Sequence, residues 1–417
     1  MTLHLLPEAA LLRARTGRFP VWLDAAGDAD GLGRYSWVAS DPVDVLRLPK
    51  AGRDALDRVA AAARGRFAVG FLGYDLGRAL EPVPGRLPED PAVPDVAFAV
   101  YDAAYRFDHQ AGRGSILEAR AGAGEHLRRV LEGPPRPPDT AEVGALQSDM
   151  GYPAYRDMVR RALDYIVAGD IYQVNLAHRL RATLRGDPLA LHLKLRAASG
   201  APLSAFLDFS DVQILSASPE LFLSFHAAER RLETRPIKGT RPRGAEADED
   251  ARLLREVIED AKERAEHVMI VDLLRNDLGR VAEIGTVRVE SLHRAVSLAN
   301  VHHAVSTVSC RVRESFGFAD MLRATFPGGS ITGAPKIRAM QIIEELESCR
   351  RGPYTGAIGV LLPDGSFQLS IAIRTAVVAA GELRFHVGGG IVADSTPEAE
   401  WRETWAKAEG LSRALRS

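Results

Sequence analysis

The sequence predicts an α+β fold built mainly from antiparallel strands. In the first third of the chain, short apolar runs alternate with glycine turns, as in FPVWLDA, GRYSWVASDP and FAVGFLGYDLG, and such runs are typical of strands. Later segments place apolar residues three and four positions apart, which predicts amphipathic helices. Because strands and helices do not alternate regularly, a doubly wound parallel sheet is not expected.

The predicted elements follow in order along the chain. The run PDVAFAVYDAAYRFD completes the N-terminal strands. A helix is expected over 152–168, ended by Gly169, and one long helix over 249–277, followed by Gly279. The remaining predicted elements are strands over 171–184, 213–225, 355–362, 367–379 and 383–392, and helices over 334–347 and 397–415.

A proline-rich segment, EGPPRPPDT, interrupts the chain at 132–140. Four prolines within 134–138 exclude a helix or a central strand there. We therefore expect an N-terminal β-rich region over 1–131, a linker over 132–145 and a second domain over 146–417. The alternative is a rigid surface loop inside one domain.

Composition excludes several classes of protein. A formal net charge of −2 gives no basic surplus for nucleic acid, and no apolar run is long enough to span a bilayer. The two cysteines, Cys310 and Cys349, are too few for a disulfide framework or a four-ligand zinc site. The N-terminus lacks the pattern of a signal peptide, so a cytoplasmic protein is expected.

Two predicted helices carry acidic faces. Carboxylates at spacings of three, four and seven share one side of a helix, and two such helices could hold Mg²⁺. The alternative is a solvated acidic surface. The faces comprise Glu259, Glu263 and Glu266 on the long helix, and Glu400, Glu403 and Lys407 on the last.

Two cations stand out by their position. Lys238, in RPIKGTRPRG, is one of only six lysines beside 47 arginines, and we expect it in a turn. A lysine can lose its proton when desolvated and act as a base or nucleophile, whereas an arginine cannot. Arg374 stands among apolar residues of a predicted strand and needs an anion, such as a carboxylate. The alternative for Lys238 is an exposed loop cation, and the alternative for Arg374 is an internal salt bridge.

The segment GGSITGAPK, at 328–336, resembles a phosphate loop but lacks the required Gly-Lys-Ser/Thr sequence. We interpret it as a glycine-rich turn into a helix that Ser330 or Thr332 could cap, with backbone N–H groups suited to an anion. The adjacent His302 and His303 have no nearby acidic or thiolate cluster, which argues against zinc.

The later part of the chain carries a series of motifs in this order: SASPELFL, RPIKGTRPRG, DAKERAEHVMIVDLLRNDLGRV, VHHAVSTV, FPGGSITGAPKIRAMQIIEELE, YTGAIG, IAIRT and GGGIVADSTPEAEWRET. Taken together, these motifs resemble the chorismate-utilising enzymes, the family that includes anthranilate, aminodeoxychorismate, isochorismate and salicylate synthases. The resemblance is dense over 146–417 and looser over 1–131. It implies two large antiparallel sheets packed together, flanking helices, an N-terminal region intertwined with the rest, and an active site between the sheets.

The resemblance also implies roles for single residues. One Mg²⁺ would be held directly by Glu266 and Glu403, and through water by Glu263 and Glu400. Glu220 corresponds to the general acid that helps the C4 hydroxyl of chorismate to leave. The positions that correspond to substrate contacts are Thr240, His303, Thr332, Gly333, Tyr354, Arg374, Gly388, Gly389 and Lys407. Ser36 corresponds to a possible contact for tryptophan in the N-terminal region.

Position 238 separates branches of the family. The branch that forms anthranilate usually carries alanine there, whereas lysine is similar to the branch that forms 4-amino-4-deoxychorismate for 4-aminobenzoate and folate synthesis. Where relatives that add water carry a lysine base, this chain has Gln173. The resemblance thus implies ammonia as the nucleophile and a separate glutamine amidotransferase subunit as its source. Anthranilate formation, or less favourably an inactive regulatory relative, is the alternative.

Overall fold

The computed structural model describes the backbone of residues 2–25, 31–298 and 300–416, and side chains of residues 4–25, 31–298 and 300–409. Its strands, in chain order, are β1 (Thr2–Leu3), β2 (Val21–Asp24), β3 (Tyr35–Ala39), β4 (Asp44–Leu48), β5 (Phe67–Leu72), β6 (Val96–Tyr101), β7 (Ala103–Asp108), β8 (Arg113–Glu118), β9 (Ala141–Val143), β10 (Gln147–Ser148), β11 (Gln173–Gly186), β12 (Leu203–Asp208), β13 (Val212–Ser218), β14 (Leu221–His226), β15 (Arg231–Arg235), β16 (Ile237–Pro242), β17 (Arg288–Ser297), β18 (Val301–Arg311), β19 (Gly333–Ala334), β20 (Ala357–Leu361), β21 (Phe367–Ile371), β22 (Thr375–Ala379) and β23 (Glu382–Ile391).

These strands form two antiparallel sheets. The larger sheet has the order β1-β8-β7-β3-β2-β12-β13-β22-β23-β11-β10, with β9 and β19 also paired to β11. The smaller sheet has the order β16-β18-β15-β14-β21-β20-β5-β6-β4, with β17 also paired to β18. The expected α+β fold with two large antiparallel sheets is confirmed.

Helices pack against both sheets. For example, α11 contacts β23 of the larger sheet and α8 contacts β18 of the smaller sheet. No helix in the ranges described is at once long enough and apolar enough to cross a membrane. The helices are α1 (Pro7–Ala14), α2 (Ala55–Ala62), α3 (Gly77–Leu80), α4 (Gly124–Glu132), α5 (Tyr152–Val167), α6 (Pro188–Ser199), α7 (Ala247–Glu259), α8 (Ala261–Gly279), α9 (Phe318–Thr325), α10 (Lys336–Leu346) and α11 (Pro397–Arg416).

Both sheets combine strands from before and after the proline-rich segment. In the larger sheet β2 pairs with β12, and in the smaller sheet β5 pairs with β20. Part of the segment expected as a linker, Ala141–Val143, forms β9 and pairs with the end of β11. The boundaries at 131 and 146 stay predictions.

A hydrophobic core fills the space between the sheets. Phe71 and Ile358 of the smaller sheet lie in one buried cluster with Ile214 and Val377 of the larger sheet. Because strands of both sheets contribute alternate side chains to this core, the sheets are held face to face. The site described below lies where the chain passes from one sheet to the other.

The long helix expected over 249–277 is two helices, so this prediction is wrong in one respect. The chain leaves the helical conformation at Asp260, which has φ −62° and ψ 109°. Its side chain accepts a hydrogen bond of 2.9 Å from the backbone N–H of Glu263 and so caps α8. Glu259 therefore ends α7, whereas Glu263 and Glu266 belong to α8.

The strand expected over 367–379 is also divided. Residues 372–374 form a corner between β21 in the smaller sheet and β22 in the larger sheet. Arg374 adopts φ +50° there, outside the extended conformation of a strand. It thus stands at a crossing between the sheets and not within one of them.

Candidate active site

Two corners of the chain meet at the centre of the site. Residues 219–220 carry the chain from β13 in the larger sheet to β14 in the smaller sheet, beside the corner at 372–374. The backbone N–H of Ile371 donates to the carbonyl of Glu220 at 3.0 Å, and that of Ala217 donates to the carbonyl of Arg374 at 3.1 Å. These hydrogen bonds bring Glu220 and Arg374 to one place between the sheets.

Glu220 is a buried carboxyl with 6% of its surface exposed. Ser330 donates a hydrogen bond of 2.7 Å to its Oε1. Burial raises the pKa of Glu220 to about 7, although the Ser330 hydroxyl and the charge of Lys238 oppose that shift. Near neutral pH the carboxyl can therefore hold a proton and donate it, as a general acid must.

Lys238 lies in β16 and not in the expected turn. Its pairing with β18 shifts register between Lys238 and Thr240, because Gly239 forms a bulge with φ +72°. A Cβ on Gly239 would lie only 2.7 Å from Oε2 of Glu263, so α8 packs closely here. The Nζ atom of Lys238 lies 3.6 Å from Oε2 of Glu266, and both side chains are 21% exposed.

The bulge also explains an interaction that the sequence did not predict. Residues three apart on a regular strand face opposite sides, but the extra residue turns Lys238 and Arg241 towards the same helix. Arg241 donates a hydrogen bond of 3.0 Å to Glu263, next to the Lys238–Glu266 pair. Arg241 therefore belongs to the charged network around Glu263.

The acidic face of α11 approaches the glycines at the end of β23. A Cβ on Gly389 would lie 3.0 Å from Oε2 of Glu400 and 3.8 Å from both Oε1 of Glu403 and Nζ of Lys407. Burial favours the neutral form of Glu403, but Lys407, 2.7 Å away, together with Lys238, holds its pKa below the ordinary value. The charge of Lys238 thus acts on both acidic helices.

The predicted magnesium ligands supply suitable atoms for a divalent cation. Glu263 has a buried Oε2 without a hydrogen-bond partner, and hard oxygen ligands are those that Mg²⁺ prefers. Glu400 accepts a hydrogen bond of 2.7 Å from Ser395, and burial raises its pKa. Among the residues described, no three His, Cys, Asp or Glu side chains converge as a ready-made metal cluster.

Arg374 and His303 present unsatisfied polar groups. Within the described ranges the Arg374 side chain forms no salt bridge or hydrogen bond, although the charge of Glu220 acts on it. Burial lowers its pKa, while the charge of Glu220 opposes that effect. His303 lies 2.9 Å from Thr240 through Nδ1, but its buried Nε2 has no partner.

His303 is uncharged at neutral pH. Burial lowers its pKa to about 4, and the positive charge of Arg374 acts in the same direction. A neutral imidazole with an unpaired ring nitrogen can form a hydrogen bond with a substrate oxygen. Thr240, His303 and Arg374 therefore offer one hydrogen-bonding atom and one positive charge to a polar anionic ligand.

The glycine-rich turn at 328–336 forms another side of the site. Thr332 and Ser330 do not cap a helix, because α10 begins after Pro335 without a side-chain cap. Thr332 donates to the carbonyl of Gly328 at 2.9 Å, and Gly333 pairs with Val174 of β11. The capping interpretation is wrong, since Ser330 instead contacts Glu220.

Gly388 lies on β23 opposite Ala177 of β11. A Cβ on Gly388 would lie 2.5 Å from the carbonyl oxygen of Leu176, so only glycine fits. Lys407 of α11 donates to the carbonyl of Gly388 at 2.8 Å. The predicted contacts Gly388, Gly389 and Lys407 therefore form one continuous group.

Tyr354 lies in a turn beside the corner at 372–374, whereas Ser36 lies in the N-terminal region. Tyr354 is buried, stacks on His386 with ring centroids 5.1 Å apart, and precedes Thr355, which donates to the carbonyl of Ala372 at 2.8 Å. Ser36 lies in β3; its hydroxyl donates to Asp24 at 2.8 Å and accepts from the N–H of Ala25 at 3.1 Å. Tryptophan binding at Ser36 stays a prediction.

Comparison with known proteins gives consistent results. Residues 21–413 match the model of the chorismate binding enzyme family. The chain is 45% identical over 357 residues to anthranilate synthase component 1 of Thermus thermophilus, covering 83% of this chain and 77% of that protein. It is 44% identical over 351 residues to aminodeoxychorismate synthase component 1 of Escherichia coli, covering 84% and 76%. The crystal structure of anthranilate synthase component I from Streptococcus pneumoniae superimposes with a TM-score of 0.82 at 33% identity, covering 91% and 92%.

Proposed function

The chain belongs to the chorismate binding enzyme family, and we propose that within this family it acts as component I of an aminodeoxychorismate synthase. The proposed reaction converts chorismate and ammonia to 4-amino-4-deoxychorismate and water. The observation that carries the proposal is the amine of Lys238, which lies between two acidic helices and within electrostatic range of the protonatable Glu220. An alanine at this position could supply no such amine.

Binding of chorismate is assigned to the unsatisfied groups of the site. The guanidinium of Arg374 forms no hydrogen bond or salt bridge in the described ranges, and its planar fork matches a carboxylate. His303 can hydrogen-bond a substrate oxygen through Nε2. The backbone around Gly388 and Gly389 leaves space for a ligand to approach the main chain closely.

We further propose that Glu266 and Glu403 hold Mg²⁺ directly and that Glu263 and Glu400 hold it through water. Bound there, the cation would neutralise a substrate carboxylate and help to orient it. The ion pair between Lys238 and Glu266 must open for the lysine to reach the substrate ring. Lys407 would remain beside Glu403 and contribute positive charge next to the glycines.

The proposed chemistry consists of two allylic displacements. Lys238 first gives up a proton to solvent; its amine then forms a bond to C2, both ring double bonds shift, and the C4–O bond breaks as Glu220 gives its proton to the departing hydroxyl, which leaves as water. Ammonia then forms a bond to C4, both double bonds shift back, and the C2–N bond breaks. The Glu220 carboxylate accepts a proton from the new C4 ammonium, and the enolpyruvyl group is retained.

The alternative function is anthranilate synthase component I, which the 45% identity to the Thermus thermophilus protein favours. One reaction mixture of chorismate, Mg²⁺ and ammonium distinguishes the two. Anthranilate is detected by its fluorescence, whereas 4-amino-4-deoxychorismate is identified by mass spectrometry. Anthranilate as the main product would overturn the proposed function.

We expect the isolated protein to use ammonium salts and not glutamine. A glutaminase needs an activated nucleophile, but burial raises the pKa of Cys310 to about 12 and that of Cys349 to about 11. A separate glutamine amidotransferase subunit would therefore supply ammonia. Product formation is compared with each nitrogen source, and glutamine-dependent turnover by the isolated chain would contradict this expectation.

Replacement of Arg374 by Gln is expected to raise the KM for chorismate on the order of 10- to 100-fold, as loss of a charge-assisted hydrogen-bonding pair implies. Arg374→Lys should recover only part of the affinity, because a lysine lacks the planar fork. Steady-state kinetics provide the measurement. Arg384→Lys is the matched control, since Arg384 already pairs with Glu382 and Asp90, and an equal effect there would refute the assignment.

A further inference from the structure

A buried ion pair lies directly behind the site. Glu347 follows α10, and its carboxylate contacts the guanidinium of Arg351 at 2.6 Å, with 5% and 2% of the two residues exposed. The Arg351 guanidinium also lies 4.6 Å from the ring centroid of Tyr74. It lies 5.8 Å from the ring centroid of Tyr354 as well, but the proposed reaction gives this pair no role.

The hydrogen bonds of this pair reach three separate segments. Arg351 donates to the carbonyl of Ile331 at 3.1 Å, to the carbonyl of Asn175 at 2.7 Å and to the hydroxyl of Thr355 at 3.2 Å. Its remaining N–H groups face Glu347. All five donors of the guanidinium therefore have acceptors. Glu347 in turn accepts from the backbone N–H of Ala177 at 2.9 Å.

Each segment carries residues predicted to bind the substrate or pairs with a strand that carries them. Ile331 precedes Thr332 in the glycine-rich turn. Asn175 and Ala177 lie on β11, where Ala177 pairs with Gly388 and Leu176 pairs with Gly389.

The third segment is the turn that contains Tyr354 and Thr355. Thr355 adopts φ +58°, which is costly for a β-branched residue and persists only where neighbouring groups enforce it. The hydrogen bond from Arg351 to its hydroxyl is one such constraint.

A buried ion pair is weak evidence for stability, because desolvation of the two charges offsets most of their attraction. What the pair supplies is geometry, since one rigid planar group fixes three backbone segments at once. We propose that Glu347 and Arg351 are positioning residues that set the relative placement of three segments, two of which carry predicted chorismate contacts, while the third, β11, supports Gly388 and Gly389 of β23. This inference rests on the proposed location of the chorismate site and not on which product is formed.

The chain offers a matched control. Glu344 lies three residues before Glu347, is 3% exposed, and pairs with Arg78 at 2.6 Å. It accepts backbone hydrogen bonds from Arg86 and Leu87, which do not belong to the site. Glu344→Gln and Glu347→Gln thus remove the same charge from neighbouring buried ion pairs and leave an acceptor in place.

The experiment measures the Kd for chorismate with Mg²⁺ but without ammonia, by titration calorimetry, beside the thermal midpoint of each variant. We expect Glu347→Gln to raise Kd by about 10- to 100-fold, because small displacements of binding groups have effects of that size. Glu344→Gln should lower the thermal midpoint to a similar extent but leave Kd within about twofold, as expected for a change remote from the ligand. Equal Kd values for the two variants would overturn the inference.

A second variant covers the case that Glu347→Gln does not fold. Thr355→Val removes one hydrogen bond of Arg351 without a change of charge or volume, and it should raise Kd in the same direction. An unchanged Kd in folded Thr355→Val would also overturn the inference. If the wild-type protein itself fails to bind chorismate, the proposed function falls as well, so the two failures are distinguishable.

Discussion

Lys238→Ala is expected to lower the rate of C4 amination by about 10³-fold or more, because removal of a covalent nucleophile has effects of at least this size. The substitution removes the amine but leaves Arg374, Glu220 and the carboxylates of α8 and α11 in place. Binding of chorismate should therefore persist. The measurement is the initial rate of 4-amino-4-deoxychorismate formation with saturating chorismate and ammonium.

Lys238→Arg is the matched control for charge. It keeps a cation beside Glu266, yet its guanidinium cannot become a neutral nucleophile. Both variants should therefore be inactive, whereas only Lys238→Ala should change the electrostatics around Glu403. In wild-type enzyme stalled without ammonia, mass spectrometry should detect a covalent adduct at Lys238. Unimpaired amination by Lys238→Ala would refute the nucleophile assignment.

Glu220→Gln is expected to lower kcat by about 10²- to 10⁴-fold, the range of general acid catalysis. Only the protonated carboxyl can donate to the departing hydroxyl. Since burial raises the pKa of Glu220 to about 7, its protonated fraction and therefore kcat should fall as pH rises through that value. The pH profile must be recorded at constant free ammonia, because the ammonia fraction itself rises with pH.

Ser330→Ala provides a sharper form of this test. The Ser330 hydroxyl donates to Oε1 of Glu220 and stabilises its charged form, so its removal should raise the pKa of Glu220 further. The falling limb of the profile should then move to higher pH, while Glu220→Gln should remove that limb. A limb that stays in place in both variants would assign the titration to another group.

The sequence predicted most of the fold because its periodic patterns report burial. The strands over 21–24, 35–39 and 67–72 lie within the predicted apolar runs, α5 and α10 lie within the predicted helical segments, and α11 ends one residue beyond its predicted segment. The break at Asp260 was not predictable from periodicity, because apolar residues continue at helical spacing on both sides. A strand pattern likewise does not record which sheet it joins, so the corner at 372–374 was missed.

The candidate site was predicted in part. Motifs identified Glu220, Lys238 and Arg374, and the structure brings these residues together between the sheets. Contacts between distant segments were not visible in the sequence, such as Ser330 with Glu220 and Arg241 with Glu263. For the Glu347–Arg351 pair the spacing of four was a usable signal, but spacing alone did not indicate burial.

The interleaving of strands from both ends of the chain has a consequence for how such proteins can evolve. Suppose that the chain before the proline-rich segment were exchanged for that of a relative. Strands β2 and β5 would then be replaced, while their partners β12 and β20 would stay the same. Recombination at the proline-rich segment would thus seldom yield a folded hybrid, even though the segment resembles a linker between domains. The N-terminal strands and the residues around Lys238 are therefore expected to be inherited together and to diverge as one unit.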